Sequence, residues 1–235
     1  MEFMKPLVIA HRGFSGQFPE NTLAAIRAAI RLGVDFVEID VHETADGKLI
    51  VFHDYRLNRI CGVPGRVRDT TAAHLRQLHP AVPTLAEVLR TCRGKTRMLI
   101  EIKRADPAKV AALIRRHRME QHVIVFTFSK RRLAELAAVA PALPRFALRD
   151  QPDWSPDQVP VRGLGVNHRQ LRSQRMVARL HQRGWQVFAW TVNQPAAMRR
   201  LMGWGVDGLI TNFPDRALRE RRRLATERAG SGLAR

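Results

Sequence analysis

Cysteine is nearly absent from this 235-residue chain. Cys61 and Cys92 are the only two, too few and too far apart for a zinc knuckle, and a disulfide framework is neither needed at this size nor suggested. No apolar run reaches the roughly 18 residues that would indicate a membrane-spanning helix. The opening MEFMKPLVIA has neither the long apolar core nor the cleavage site of a secretory signal, so a cytoplasmic location is expected. A glycine-rich nucleotide turn is also missing, because AHRGFSGQFPEN contains no G-x-G-x-x-G. Acidic residues are scarce, 21 Asp and Glu against 40 Lys and Arg, giving a formal charge of +19. Such a field attracts polyanions. The arginines are nevertheless spread through motifs such as RRHR and KRR rather than gathered on one reading helix, so no specific nucleic-acid partner is expected. Attraction of small anionic substrates is the milder consequence. It leaves room for transient contact with anionic membranes, and nothing in the pattern sets an oligomeric state.

What is present is a regular alternation of strand and helix. Apolar, β-rich runs occur at 6–11, at 35–41 with 49–54, and at 97–103, 122–128, 145–149, 163–168, 186–192 and 208–213. Helix patterns lie between them. Asn21 or Thr22 can cap a helix that buries Leu23, Ile26 and Ile30, Thr84 with Glu87 has capping-box spacing, and Asp106–Pro107, Ser129 and Ser173 open others. Strands separated by helices indicate a parallel sheet. Counting 49–54 as a hairpin partner leaves eight principal strands, enough to close an α/β (β/α)8 barrel; an open doubly wound sheet is the runner-up. Residues 1–215 are expected to form this one domain, with a short insertion over the barrel mouth at about 55–83. The basic run from Arg216 is read as a tail, 216–235, that frays toward its Gly/Ser-containing end.

Two of the strands carry charge where burial is expected. VEID holds Glu38 and Asp40, and LIEIK holds Glu101 and Lys103, each pair at i and i+2, so that both side chains of a pair share one face. A carboxylate in such a strand destabilises it unless it finds a partner. Three of them on two strands call for a divalent cation held by oxygen ligands, as Mg2+ and Ca2+ prefer. In a barrel the active site lies at the carboxyl ends of the strands, where His11 and Arg12, His53 and Asp54, Asn167 or His168, Trp190 and Asn212 also fall. Each residue has a plainer role open to it. A strand-end histidine is more often a turn residue than a catalyst, Lys103 could simply neutralise Glu101, and Trp190 could fill the barrel. Asp54 suits the task of holding a histidine. Clustered on one rim, they read together as an active site.

The sequence also resembles a known family. HRG at 11–13, PENT at 19–22, VEIDVHETADGKLIVFHD at 37–54, PTLAEVL at 83–89, EIK at 101–103, AWTVN at 189–193 and GVDGLITNFPD at 205–215 are similar, in order, to the glycerophosphodiester phosphodiesterases. The resemblance implies a TIM barrel that hydrolyses glycerophosphodiesters to glycerol 3-phosphate and an alcohol with one divalent metal ion, Mg2+ or Ca2+. It implies Glu38, Asp40 and Glu101 as metal ligands, and His11 and His53 as the acid/base pair. It places Arg12 and Lys103 against phosphate, and Glu20 and Trp190 at further substrate positions. The insertion after His53 is shorter than the one that covers the glycerol side of the site in the family, which leaves head-group preference open. A lysophospholipase D-type reaction on acylated lipids is the alternative. Which histidine is acid, and whether water or the glycerol 2-hydroxyl attacks, stay open as well.

Overall fold

The computed structural model describes residues 5–150 and 159–232. Its elements run β1 (Leu7–Ala10), α1 (Leu23–Arg31), β2 (Phe36–Glu43), β3 (Leu49–Val51), α2 (Asn58–Cys61), α3 (Ala72–Leu78), α4 (Leu85–Cys92), β4 (Arg97–Arg104), α5 (Pro107–Arg116), β5 (Val123–Thr127), α6 (Lys130–Val139), β6 (Arg145–Arg149), β7 (Gly163–Asn167), α7 (Gln174–Gln182), β8 (Gln186–Trp190), α8 (Pro195–Gly203), β9 (Gly208–Thr211) and α9 (Pro214–Gly232). Strands follow the order β1-β9-β8-β7-β6-β5-β4-β2, and β1 also pairs with β2, so eight parallel strands close on themselves. β3 stands outside this ring, antiparallel on the end of β2 with Val41 opposite Val51. The result is the eight-stranded TIM barrel expected from the alternation, with the hairpin partner as the extra strand.

Residue alternation decides what faces each way. Val37, Ile39 and Val41 of β2, and Met98, Ile100 and Ile102 of β4, belong to the layer between barrel and helices. The intervening positions turn inward, where Phe36 and Leu99 join Ile9, Phe126, Phe146, Leu148, Phe188 and Ile210 in a second apolar cluster. Glu38, Asp40, Glu101 and Lys103 share this inward parity and lie closer to the carboxyl ends of their strands. The aromatic interior needs small neighbours. A Cβ on Gly163 would come within 2.5 Å of both a Phe146 ring carbon and the Gln186 carbonyl oxygen, so β7 leaves room for the ring beside it.

Helix ends follow local chemistry. Thr22, not Asn21, caps α1 through Ala25 N–H at 3.2 Å, the Thr84–Glu87 capping box is formed, and Asp106 caps α5 with Pro107 in its first turn. The insertion builds its own small core from Leu57, Val67, Leu75 and Val82 packed under Ile50 and Phe52. Cys61 and Cys92 are free thiols, and burial pushes the Cys92 thiol up to about 12, which makes it unreactive. No helix among the described residues is long and apolar enough to cross a membrane.

The basic run from Arg216 continues a helix that begins at Pro214. Pro214, Ala217, Leu218 and Arg221 are buried and Leu224 is half-buried, a spacing that makes one face of α9 a wall of the barrel against α8 and β1. The arginines hid this face by diluting its apolar residues. Arg221 is itself structural: Nη1 donates to Pro6 O at 3.2 Å and to Asp35 Oδ2, which also accepts Val8 N–H at 2.7 Å. Residues 233–235 of the run lie outside the described residues. Arg221→Ala would leave the Asp35 carboxylate short of its cation at the barrel floor, with an expected cost of about 2 kcal/mol or more. A urea midpoint unchanged from that of the parent protein would contradict this placement of α9.

Candidate active site

The rim at the carboxyl ends of the strands begins with a strained turn after β1. Arg12 has φ 56 and Asn21 φ 57, left-handed conformations that ordinary side chains adopt only under constraint. The constraint is visible in the bonds they make. Arg12 N–H donates to Glu38 Oε2 at 2.8 Å, and Asn21 N–H donates to Arg12 O at 3.0 Å. Gly13 next to it has φ 78, and a Cβ there would lie 2.6 Å from the backbone of Ala25, so only glycine lets α1 approach this closely. Asn21, released from capping, donates from Nδ2 to Asp40 Oδ2 at 2.9 Å.

β2 and β4 run side by side with Asp40 opposite Glu101, which brings Glu38, Asp40 and Glu101 together with one carboxylate oxygen of each within 4.8 Å of the others. All three are buried. Lys103 Nζ lies 2.9 Å from Glu101 Oε1 and 3.5 Å from Asp40 Oδ1, and Arg12 Nε is 3.4 Å from Asp40 Oδ2. Burial and the neighbouring Asp40 push Glu38 well above the ordinary carboxylate range. Burial and Asp40 likewise raise Glu101 to about 7 against the pull of Lys103. Burial also works against ionisation of Asp40, yet Lys103 and Arg12 outweigh it and hold that carboxyl below its usual value. Two cations therefore suffice for one of three carboxylates. Asp40 Oδ1 remains buried with no hydrogen bond. An all-oxygen donor set, short of positive charge and with an unsatisfied buried acceptor, fits a hard divalent cation.

Both histidines are held by Nδ1. His11 Nδ1 lies 2.6 Å from Asn212 Oδ1, and Asn193 Oδ1 fixes Asn212 by accepting its N–H at 3.0 Å. His53 Nδ1 lies 2.6 Å from Asp54 Oδ1. With an oxygen acceptor on each Nδ1, the proton sits there and Nε2 is the free nitrogen; His11 Nε2 points toward Glu38 at 3.9 Å. Burial, reinforced by Arg12, lowers His11 to about 4, and burial lowers His53 as well. His42, two residues beyond Asp40, steadies the His53 backbone through Nε2 and the His53 carbonyl at 3.1 Å.

These groups surround a cavity of about 150 Å³. His11, Arg12, Glu38, His53, Glu101, Lys103 and Trp190 line it directly. Asp40 stands behind Arg12 and Lys103, and Glu20 accepts from Arg12 Nη1 at 2.9 Å. The opposite wall is apolar, with Phe126, Phe128, Leu148 and Ile210; Phe128 meets Trp190 edge-on at 5.8 Å. The indole N–H of Trp190 and Nε of Arg12 are buried donors without a hydrogen-bond partner, two further positions that a ligand would satisfy. The sequence does not single out Arg59, which pairs with Glu20 and Asp54, and there Asn21 reads as a candidate helix cap. Nothing marks Arg59 among 40 basic residues, whereas Asn21 stands next to a second capping residue, Thr22, which takes the cap and leaves the Asn21 amide to Asp40.

Comparison with known proteins gives the family and the fold. The sequence profile of the glycerophosphoryl diester phosphodiesterase family matches residues 11–216. A glycerophosphodiester phosphodiesterase of Bacillus subtilis is 32% identical over 89% of this chain and 84% of its own length, and one from Caldanaerobacter subterraneus is 32% identical over 90% and 96%. Among solved structures, a phosphodiesterase of Oleispira antarctica in complex with the product sn-glycerol-3-phosphate superimposes with a TM-score of 0.85 at 26% identity, covering 92% of this chain and 96% of that one. With a profile match that spans most of the barrel and relatives covered nearly end to end, the chain belongs to the glycerophosphoryl diester phosphodiesterase family of phosphoric diester hydrolases.

Proposed function

We propose that the protein hydrolyses glycerophosphodiesters such as glycerophosphocholine and glycerophosphoethanolamine to sn-glycerol 3-phosphate and an alcohol. The observation that carries this reading is the buried cluster of Glu38, Asp40 and Glu101 beside Lys103 and Arg12, in one cavity with two histidines whose Nε2 atoms are free. The product bound to the Oleispira phosphodiesterase supports it. So does the cavity, whose 150 Å³ suits a small deacylated glycerophosphate moiety.

A phosphodiester anion repels nucleophiles, so the site must neutralise it and manage two protons. Arg12 and Lys103 are placed to take the nonbridging oxygens. Mg2+ or Ca2+ held by Glu38, Asp40 and Glu101 would supply further charge withdrawal from the phosphoryl group. The two histidines differ in the partner on Nδ1. His11 is backed by a neutral amide oxygen, which favours the uncharged ring, so we assign it as the base that deprotonates water or the glycerol 2-hydroxyl. His53 is backed by the Asp54 carboxylate, which favours a ring protonated at both nitrogens, so it is the acid whose Nε2 proton passes to the departing alkoxide while Nδ1–H stays on Asp54. Trp190 and the apolar wall would seat the carbon skeleton, and Glu20 would keep Arg12 in place. The cytoplasm, where free thiols persist, is the proposed compartment.

Purified protein with glycerophosphocholine is expected to release glycerol 3-phosphate when Mg2+ or Ca2+ is present and to stop when a chelator is added. Release from lysophosphatidylcholine alone would shift the substrate class to acylated lipids. His11→Ala and His53→Ala should each lower kcat by roughly 10²-fold or more while the far-ultraviolet circular dichroism stays unchanged. A folded double variant with normal turnover would refute the acid/base assignment. Glu101→Gln should raise the metal concentration that gives half-maximal rate, and an unmoved titration curve would remove Glu101 from the ligand set.

A further inference from the structure

The insertion sends one side chain to the rim that the scheme above does not use. Arg59, on the short helix α2, divides its guanidinium between two carboxylates. Nε donates to Asp54 Oδ2 at 2.7 Å and Nη2 to Asp54 Oδ1 at 2.8 Å. Nη1 donates to Glu20 Oε2 at 3.1 Å and Nη2 to Glu20 Oε1 at 2.6 Å. Each carboxylate has a second task, since Asp54 Oδ1 accepts from His53 Nδ1 and Glu20 Oε1 accepts from Arg12. Glu20, His53 and Asp54 stand close enough, with ligand atoms within 4.8 Å, to be mistaken for a second metal site. The Arg59 guanidinium already supplies the cation there.

A paired arginine at a surface is usually worth little to stability, and the Arg59 side chain is 48% exposed. What distinguishes it is geometry. Forked hydrogen bonds fix direction as well as charge, and here they fix the carboxylate that sets the tautomer of His53. The hydrogen-bonded Arg59 holds Asp54 well below its ordinary value, while partial burial works against ionisation, so Asp54 stays an acceptor throughout a catalytic cycle near neutrality.

We propose that Arg59 is a positioning residue for the acid/base step, holding Asp54 so that the Nδ1–H of His53 stays bound to it and Nε2, the nitrogen that hands over a proton, stays aimed at the reacting group. This rests on the reading that His53 transfers a proton during phosphodiester hydrolysis. Without the fork, the Asp54 side chain at the open rim turns to solvent, and the imidazole loses the partner that selects one tautomer and one ring orientation. Misplacing a proton-transfer group lowers turnover without requiring a loss of substrate affinity.

The test uses the full chain with Mg2+ and glycerophosphocholine. Arg59→Ala should lower kcat by about tenfold or more with KM little changed and the urea midpoint preserved. Arg59→Lys should not restore the rate, because one ammonium cannot fork to two carboxylates. Arg59→Ala placed in an Asp54→Ala background should cause no further loss, since both changes break the same linkage. Two-bond 1H–15N spectra give a readout apart from turnover. At a pH where the ring is neutral, the His53 ring signals, assigned by their loss in His53→Gln, should report the Nδ1–H tautomer in the parent protein and shift toward Nε2–H in Arg59→Ala. An unchanged His53 ring in Arg59→Ala, or losses that multiply in the double variant, would overturn the proposal. If His53→Gln is inactive while Arg59→Ala keeps parental turnover, the role of Arg59 alone is lost. If His53→Gln turns over normally, the assignment of His53 fails first and Arg59 falls with it.

Discussion

Everything at the mouth of this barrel depends on the side-by-side placement of Asp40 and Glu101 on adjacent parallel strands, with Glu38 one inward position below. Three carboxylates out of water repel one another, and that repulsion appears directly as the raised Glu38 and Glu101. The fold tolerates it because the neighbours are arranged around it. Lys103 reaches across from the same strand as Glu101, Arg12 arrives from a left-handed turn, and Asn21 donates an amide hydrogen to Asp40. The strain stored at Arg12 and Asn21 is the counterpart of this cluster, since both unusual backbone conformations end in a hydrogen bond that serves Glu38 or the turn that carries Arg12.

Alternation in the strands explains why so little sequence is needed to build the site. Along β2 and β4 the outward residues are aliphatic and join the layer beneath the helices, while the inward ones change from Phe36 and Leu99 to charged groups toward the rim. The lower barrel is therefore sealed by aromatic and aliphatic side chains, and the upper barrel is polar. A one-residue shift of either strand would carry the carboxylates into the apolar layer, so the packing of Val37, Ile39, Met98 and Ile100 holds the register that the chemistry requires. The insertion adds a second support from above, because its own core lets α2 place Arg59 over Asp54 and Glu20.

The parts legible in the sequence were those written in short-range patterns. Periodicity of two marked Glu38, Asp40, Glu101 and Lys103 as sharing faces, and the alternation of strands with capped helices showed the barrel. Relationships made only in three dimensions were harder to read. Asn21 looks like a helix cap until Thr22 takes that task. Asn193, which precedes α8, holds Asn212 and so His11, while Gln194 stands at the helix boundary. The segment from Arg216 looked like a solvated basic tail because arginine occupies its exposed face and even one buried position, Arg221, yet Ala217 and Leu218 close the barrel wall. Charge runs conceal amphipathic helices when the apolar stripe is made of small residues.

The same electrostatics reconciles a strongly basic protein with an acidic centre. The formal charge of +19 draws anions toward the surface from a distance. Inside the cavity three buried acids face Lys103 and Arg12, with Glu38 and Glu101 raised and the histidines lowered toward their neutral forms. A divalent cation on Glu38, Asp40 and Glu101 would draw all three into the ionised form, and with Lys103 and Arg12 would leave a one-charge excess to match a monoanionic diester. On the proposed function, affinity for substrate and affinity for the cation would therefore depend on the same three side chains.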